Sequence, residues 1–353
     1  MTDIADSTVE LTRLREAAND VLRRSWSLAR FQSLLDGPGP VFDPDLWQTV
    51  SELGWPDVLV GAASGGGGGS LRELCVLAEA VGAAAAPVPL AAAAAAAWCD
   101  DRCHDGISLM LPGRGELSAG TVSGIWPVVP FGTVADTLVV CAGTGEQAVL
   151  GVVDPTSAGV ERMPITPLDH NPAARISLQD VPIQVFEEGI AAESRCRDAA
   201  LRAQVAQLAE LVGTVSAANE AATEYAKLRI AFGRPIGTFQ AIKHRLVDQR
   251  CVVEVGRALV NRAADACQHD HSDAAALVSL AAFWGIDRLR AVPEGVTQVF
   301  GGIAYTWEHE AHIHLRRAAS SVATLGTRGF HRNVVARWLS ARYPVTARRE
   351  GSA

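Results

Sequence analysis

The stretch RIAFGRPIGTFQ, residues 229–240, decides how this chain folds. Upstream of it Leu201, Val205, Leu208, Val212 and Val215 recur at three- and four-residue spacing, which predicts one extended helix over about 194–230. Downstream, helices are expected over about 239–267 and 272–289, a shorter one around Val296, and a last pair over 307–323 and 327–341. The quoted stretch is then a link between two long helices, with Gly233 allowing the turn and Pro235 and Gly237 shaping it. Long helices joined by short links pack as an antiparallel bundle.

Further towards the N-terminus the period changes. Short apolar runs at 107–111, 137–141, 148–153 and 175–178, separated by Gly, Pro, Asp and Thr, predict a small, mostly antiparallel β domain or barrel. Before it the pattern is helical again. Leu11, Leu14, Ala18, Val21 and Leu22 keep helical spacing, Asp43-Pro44 opens a helix carrying Leu46, Val50 and Leu53, and Ser70 caps another over 71–81. The glycine run at 65–69 has neither the Gly-Lys-Ser/Thr ending nor the preceding strand of a phosphate loop, so it reads as a flexible connector. The expected organisation is a helical domain at 1–105, a β domain at 106–190 and a helical bundle at 191–353.

Composition narrows the function. The chain has 353 residues, 48% of them hydrophobic and 20% charged, which excludes wholesale disorder. Its net charge of −8 and the lack of any Lys/Arg-rich run argue against nucleic-acid binding. The most apolar stretch, 80–98, is mostly Ala and is interrupted by Pro87 and Pro89, so no membrane span is expected. Cys75, Cys99, Cys103, Cys141, Cys196, Cys251 and Cys267 are irregularly spaced and odd in number, and they read as reduced thiols. With no secretory pattern at the N-terminus, a cytoplasmic protein is expected. Cys99, Cys103 and His104 lack a second ligand pair at useful spacing, and no metal site is assigned.

Three segments are more specific: residues 229–240, QVFGGIAYTWE at 298–308, and Arg316-Arg317-Ala318 running on to Gly326-Thr327 and RNVVAR at 332–337. Together they resemble the acyl-CoA dehydrogenase family. GIWPVVPFGTVAD at 124–136, Phe42-Asp43 with Leu46-Trp47, and ELGW at 52–55 look family-like as well, so the resemblance spans nearly the whole chain. It implies a mainly α fold with an N-terminal helical domain, a middle β-barrel domain and a C-terminal four-helix bundle. It also implies FAD as cofactor and an acyl-CoA thioester as substrate. In the family the segment matching 229–240 holds FAD belonging to a neighbouring subunit, so the chain is expected in a homo- or hetero-oligomer with another acyl-CoA dehydrogenase-like subunit. Carried over, Arg229, Phe232 and Gln240 contact one part of the cofactor, Gln298, Gly301 and Gly302 another, and Thr327 belongs to the same set. A guanidinium such as that of Arg229 suits a pyrophosphate because its planar fork matches two phosphate oxygens.

The catalytic position departs from the family. Dehydrogenation beside a thioester needs a base for the α-proton and a flavin for the β-hydride. In the commonest family pattern a carboxylate precedes the Gly-Thr pair, and that position is Leu325 here. In another branch the base sits on the long helix, at the position of Ala203, and it is missing there too. Val128 and Pro130 replace the aromatic and hydroxyl residues usual beside the flavin ring, and LPGRG at 111–115 replaces a Ser/Thr-rich motif. The densest ionisable cluster is Glu308, His309, Glu310, His312 and His314. Glu308 pairs at i,i+4 with His312, and Glu310 with His314, if the segment is helical. Glu308 is expected to cap or position that helix, and Glu308 and His309 are the remaining candidate bases. The pattern resembles a flavin-dependent dehydrogenase built from two unlike subunits, of which this is the base-lacking one. A structural subunit without flavin, or different flavin chemistry on the same fold, are the alternatives.

Overall fold

The computed structural model describes residues 2–100, 103, 106–111 and 113–343. Five helices come first: α1 (Thr2–Ser25), α2 (Leu28–Leu35), α3 (Pro44–Glu52), α4 (Leu71–Ala83) and α5 (Leu90–Cys99). Their starts follow from local chemistry. Asp43 accepts the Leu46 amide at 3.1 Å with Pro44 in the first turn, and Ser70 and Glu73 form a reciprocal capping box on α4. The glycine run is an ordered turn rather than a flexible connector. The amides of Gly67, Gly68 and Gly69 donate to the carbonyls of Asp57, Val60 and Val58, and a Cβ on Gly66 would lie 2.3 Å from that of Val60. Glycine is required there by close backbone approach.

Eight strands follow. β1 (Ser108–Met110), β4 (Thr137–Ala142), β5 (Val149–Val153) and β8 (Gln184–Glu188) form one sheet in the order β1-β4-β5-β8, with β1 parallel to β4. β2 (Glu116–Ser118), β3 (Thr121–Pro130), β7 (Ala173–Pro182) and β6 (Val160–Ile165) form a second, antiparallel sheet in the order β2-β3-β7-β6. A bridge between Gly115 and Ala142 joins the two. The apolar runs of the sequence fall on β1, β4, β5 and β7. β6 and β8 have largely solvated faces, and their short, polar-rich sequences gave no alternation to detect.

The chain then enters α6 (Gly189–Leu228), 40 residues long, followed by α7 (Gln240–Gln268), α8 (Ala274–Arg288), α9 (Ala291–Phe300), α10 (Ala311–Thr324) and α11 (Arg328–Arg342). α6 runs through the centre of the molecule. It crosses α4 at backbone contact, because a Cβ on Gly82 would lie 1.9 Å from the Glu210 carbonyl oxygen and one on Gly213 1.9 Å from that of Glu79. The buried Glu79 carboxylate is held by Arg15 of α1 at 2.6 Å and Arg257 of α7 at 3.1 Å. All the alanines of α5 but the half-buried Ala92 are buried, and α5 packs closely on α6.

Two expectations are corrected. The cysteines are not all thiols: Cys141 of β4 and Cys196 of α6 form a disulfide, with Cα atoms 6.2 Å apart. The pair joins a strand to a helix across 55 residues, which no local spacing announces. The helix expected from residue 307 begins at Ala311, so Glu308 lies outside it and cannot share a helical face with His312. Among the described residues no helix is long and apolar enough to cross a membrane. Nor does any group of three His, Cys, Asp or Glu there come together to hold a metal; His104 lies outside the described residues.

Candidate active site

At the C-terminus of α6 the backbone of Arg229 turns extended, its amide donating to the Tyr225 carbonyl and its carbonyl accepting from Ile236, both at 2.8 Å. β9 (Ile230–Ala231) and β10 (Arg234–Pro235) pair antiparallel, with Phe232 and Gly233 as the two turn residues, both at positive φ. A two-residue hairpin turn of this kind is favoured when both central residues have positive φ, which glycine adopts freely and phenylalanine does not. Phe232 is 94% exposed and meets Phe239 edge-on, and the Arg234 guanidinium lies 4.2 Å from the Phe239 ring. Leu228, Arg229, Ile230 and Gln240 are also exposed, Gln240 as the first residue of α7.

The second glycine turn is a neighbour. Tyr225 packs on Phe300 with ring centres 5.0 Å apart, and Phe300 leads into Gly301 and Gly302. Gly301 has φ +70°, and no heavy atom lies within 4 Å of a Cβ built on either glycine. Gln298 is exposed and donates to the Tyr305 hydroxyl at 3.0 Å. Arg229, Phe232, Gln240, Gln298, Gly301 and Gly302 thus gather at one end of the bundle.

The positions expected to carry the base lie elsewhere. Leu325 is 1% exposed, and its carbonyl accepts from Gln204 of α6 at 3.0 Å and meets the His331 ring nitrogen at 2.7 Å. Ala203 is half-buried against the small apolar cluster that holds Cys99, Cys141, Leu150 and Cys196. Gln204 and Arg229 are some 25 residues apart on one helix, roughly 37 Å at the α-helical rise. Thr327, beside Leu325, caps α11 by accepting the Phe330 amide at 3.2 Å. In the β domain Val128 is exposed and Pro130 half-buried, Val128 falling at an irregularity in the β3–β7 pairing.

Glu308 is exposed and does not cap α10. His309 takes that part, its ring nitrogen accepting the Ala311 amide at 3.1 Å while the ring meets Phe300. His312 stacks on Trp307, and burial lowers its pKa.

Between Leu325 and the α4–α6 crossing lies a polar group that the sequence reading did not assign to the site. Arg317, 2% exposed, donates to the Ala86 carbonyl and to Glu210, both at 2.7 Å. Burial pushes the Glu210 and Asp169 carboxyls up, and Arg317 pulls both back down. His314, fully buried beside them, is pushed down to about 4 by burial and by Arg317. A signal existed in the Arg316-Arg317-Ala318 segment: an arginine that is buried demands a buried carboxylate.

Comparison with known proteins agrees with this architecture. The family models for the acyl-CoA dehydrogenase N-terminal and C-terminal domains match residues 8–100 and 199–340. The chain is 32% identical over 293 residues to the acyl-CoA dehydrogenase IpdE2 of Mycobacterium tuberculosis, covering 80% of this chain and 83% of that one. It is 32% identical over 318 residues to the acyl-CoA dehydrogenase FadE34 of the same organism, covering 84% of this chain but only 42% of FadE34. The solved Tcur3481-Tcur3483 steroid ACAD superposes with a TM-score of 0.84 at 24% identity, over 95% of this chain and 99% of that one. The ChsE4-ChsE5 complex from Mycobacterium tuberculosis does so with 0.83 at 20% identity, over 96% and 98%. The two solved structures share the fold; the sequence matches go further, and the chain belongs to the acyl-CoA dehydrogenase family of flavin-linked oxidoreductases.

Proposed function

We propose that this chain is the base-lacking subunit of a FAD-dependent acyl-CoA dehydrogenase that removes hydrogens from the α and β carbons of an acyl-CoA thioester, of fatty or steroid side-chain type. The observation that carries this reading is Leu325. The family's base position holds a buried leucine whose carbonyl is already engaged, Ala203 leaves the alternative position empty, and the nearby carboxylate Glu210 is paired with Arg317. No group at either position can take the α-proton, so in this reading a carboxylate of a second, unlike acyl-CoA dehydrogenase chain does so.

The residues of the exposed end fit a dinucleotide. Arg229 is free to fork onto phosphate oxygens, Phe232 offers an open ring face, and Gly301 and Gly302 leave space where a side chain would otherwise stand. Gln240 and Gln298 bring amides to the same rim. Bound there, FAD supplies the hydride acceptor. The separation of roughly 37 Å along α6 supports a rim that serves a catalytic position on a neighbouring chain rather than Leu325 of its own, and so an oligomer. The ring end fits less well: Val128 and Pro130 offer no side-chain donor, and the Thr327 hydroxyl, which accepts the Phe330 amide, keeps only its own O–H to offer.

The test is a flavin absorbance spectrum and native mass of the chain purified alone and co-expressed with a second acyl-CoA dehydrogenase-like chain. Flavin and acyl-CoA-dependent dye reduction in the mixed complex alone are expected. Flavin and activity in the lone chain would overturn the base-lacking assignment. No flavin in either preparation would leave a structural subunit, the reading that Val128 and Pro130 favour.

A further inference from the structure

The glycine turn of the rim has little of its own to hold it. Gly301 and Gly302 carry no side chain, and a Cβ built on either would meet nothing within 4 Å among the described residues. Glycine also gives the backbone its widest freedom, so the position of this turn has to come from its flanks. Before it, Phe300 ends α9, is 8% exposed, and packs on Tyr225 in the last turn of α6 with ring centres 5.0 Å apart. The carbonyl of the same Tyr225 accepts the Arg229 amide at 2.8 Å. After it, the half-buried His309 sets its ring against Phe300, with centres 4.6 Å apart. Its Nδ1 accepts the Ala311 amide at 3.1 Å, at the start of α10. Tyr225, Phe300 and His309 thus form a column of rings that joins the ends of α6 and α9 to the start of α10. The cap also decides what His309 can do chemically. A neutral imidazole that accepts at Nδ1 carries its hydrogen on Nε2, so neither nitrogen is left to take a proton while the cap stands.

We propose that His309 is a positioning residue for the cofactor rim rather than a base. Its ring, anchored by the α10 cap, clamps Phe300 on Tyr225 and so sets the Gly301–Gly302 turn against the Arg229 hairpin before the cofactor arrives. The inference rests on the reading that FAD binds at this rim. A turn ordered beforehand spares the cofactor the cost of ordering it, so loss of the ring weakens binding without unfolding the chain. An aromatic edge contact of this kind corresponds to about a three- to tenfold change in an equilibrium constant. The two jobs of His309 can be separated by substitution. Phenylalanine keeps a ring against Phe300 but has no acceptor for the Ala311 amide. Asparagine has no ring, but its side chain accepts an amide two residues on, which is the spacing of the present cap.

The experiment compares His309→Phe, His309→Asn and His309→Ala with the parent in two preparations. In the full chain without cofactor, amide hydrogen exchange over residues 301–306 reads the clamp itself. In the co-expressed complex, stripped of flavin and titrated with FAD, affinity reads its consequence. His309→Ala and His309→Asn are expected to exchange faster over 301–306 and to bind FAD about three- to tenfold more weakly. His309→Phe is expected to restore both to within about twofold of the parent. Exchange over 301–306 unchanged in His309→Ala would overturn the clamp. FAD affinity as low in His309→Phe as in His309→Ala, or kept in His309→Asn, would overturn the part given to the ring. A parent complex that takes up no FAD would overturn the cofactor reading, and the positioning role with it, whatever the exchange shows.

Discussion

The middle of α6 and its C-terminal end solve opposite problems. Around Glu210 and Gly213 the helix is sealed: two glycines bring its backbone against α4, and the Arg317–Glu210 pair fills the space towards α10. At Arg229 it is open, ending in a hairpin that presents Phe232 and Leu228 to solvent. A helix interior tolerates glycine poorly unless close packing repays the lost stability, and an exposed phenylalanine in left-handed backbone is strained without a partner. The sealed stretch is therefore built for this chain's own stability, and the open end for something outside it. Changes in the sealed stretch should cost folding, and changes at the open end should cost binding.

The largest effect is expected at the ion pair. Arg317→Ala leaves Glu210 buried without its cation and should destabilise the chain by about 3–5 kcal/mol, read by denaturant or thermal unfolding. Arg317→Leu combined with Glu210→Leu should recover most of that loss, since two apolar groups replace a desolvated pair. A double variant no more stable than Arg317→Ala would mean that the Ala86 contact, not the charge pair, holds this stretch together. Next comes Gly213→Ala, whose methyl would stand against the Glu79 carbonyl. Helices α4 and α6 must separate to admit it, at about 3 kcal/mol. Unchanged stability in that variant would remove the argument that the crossing is sealed.

His314 tests the same sealed stretch through pH. Its folded pKa of about 4 lies below the unfolded value, so the unfolded chain binds the extra proton first as pH falls. The stability linked to this group is fully present above about pH 6.5 and is lost progressively as pH falls towards 4, by about 3 kcal/mol in all. His314→Leu removes that slope. The difference in stability between variant and parent should shift in the variant's favour as pH is lowered from 7 to 4, and a pH-independent difference would show that the ring is not buried neutral.

The same contrast explains what the sequence made legible. The long helices of the bundle, the turn at Gly233 and the Ser70 cap follow from local rules, because turn and cap geometry depend on near neighbours. The ion pair, the disulfide and the α4–α6 crossing join residues far apart in sequence: Arg317 to Glu210, Cys141 to Cys196, Gly82 to Glu210. Periodicity records that a position is buried but not which segment covers it. The onset of α10 was misplaced for a related reason. The segment at 307–310 has helical composition, yet the Trp307–His312 stack and the His309 cap keep it outside the helix.

The smallest effect on folding, and the sharpest test of the comparison, belongs to Arg229. Its side chain is exposed, with only its backbone hydrogen-bonded, so Arg229→Ala should change stability by no more than about 0.5 kcal/mol. If the open end receives a pyrophosphate, the same substitution removes charge-assisted hydrogen bonds of about 1.5–3 kcal/mol, a ten- to hundredfold loss of flavin affinity. Flavin retained through gel filtration of the co-expressed complex is the readout. Arg229→Lys should recover only part of the loss, because an ammonium keeps the charge but not the fork. Flavin content equal to the parent in Arg229→Ala would detach this residue from the cofactor and leave the hairpin as a protein-contact surface alone.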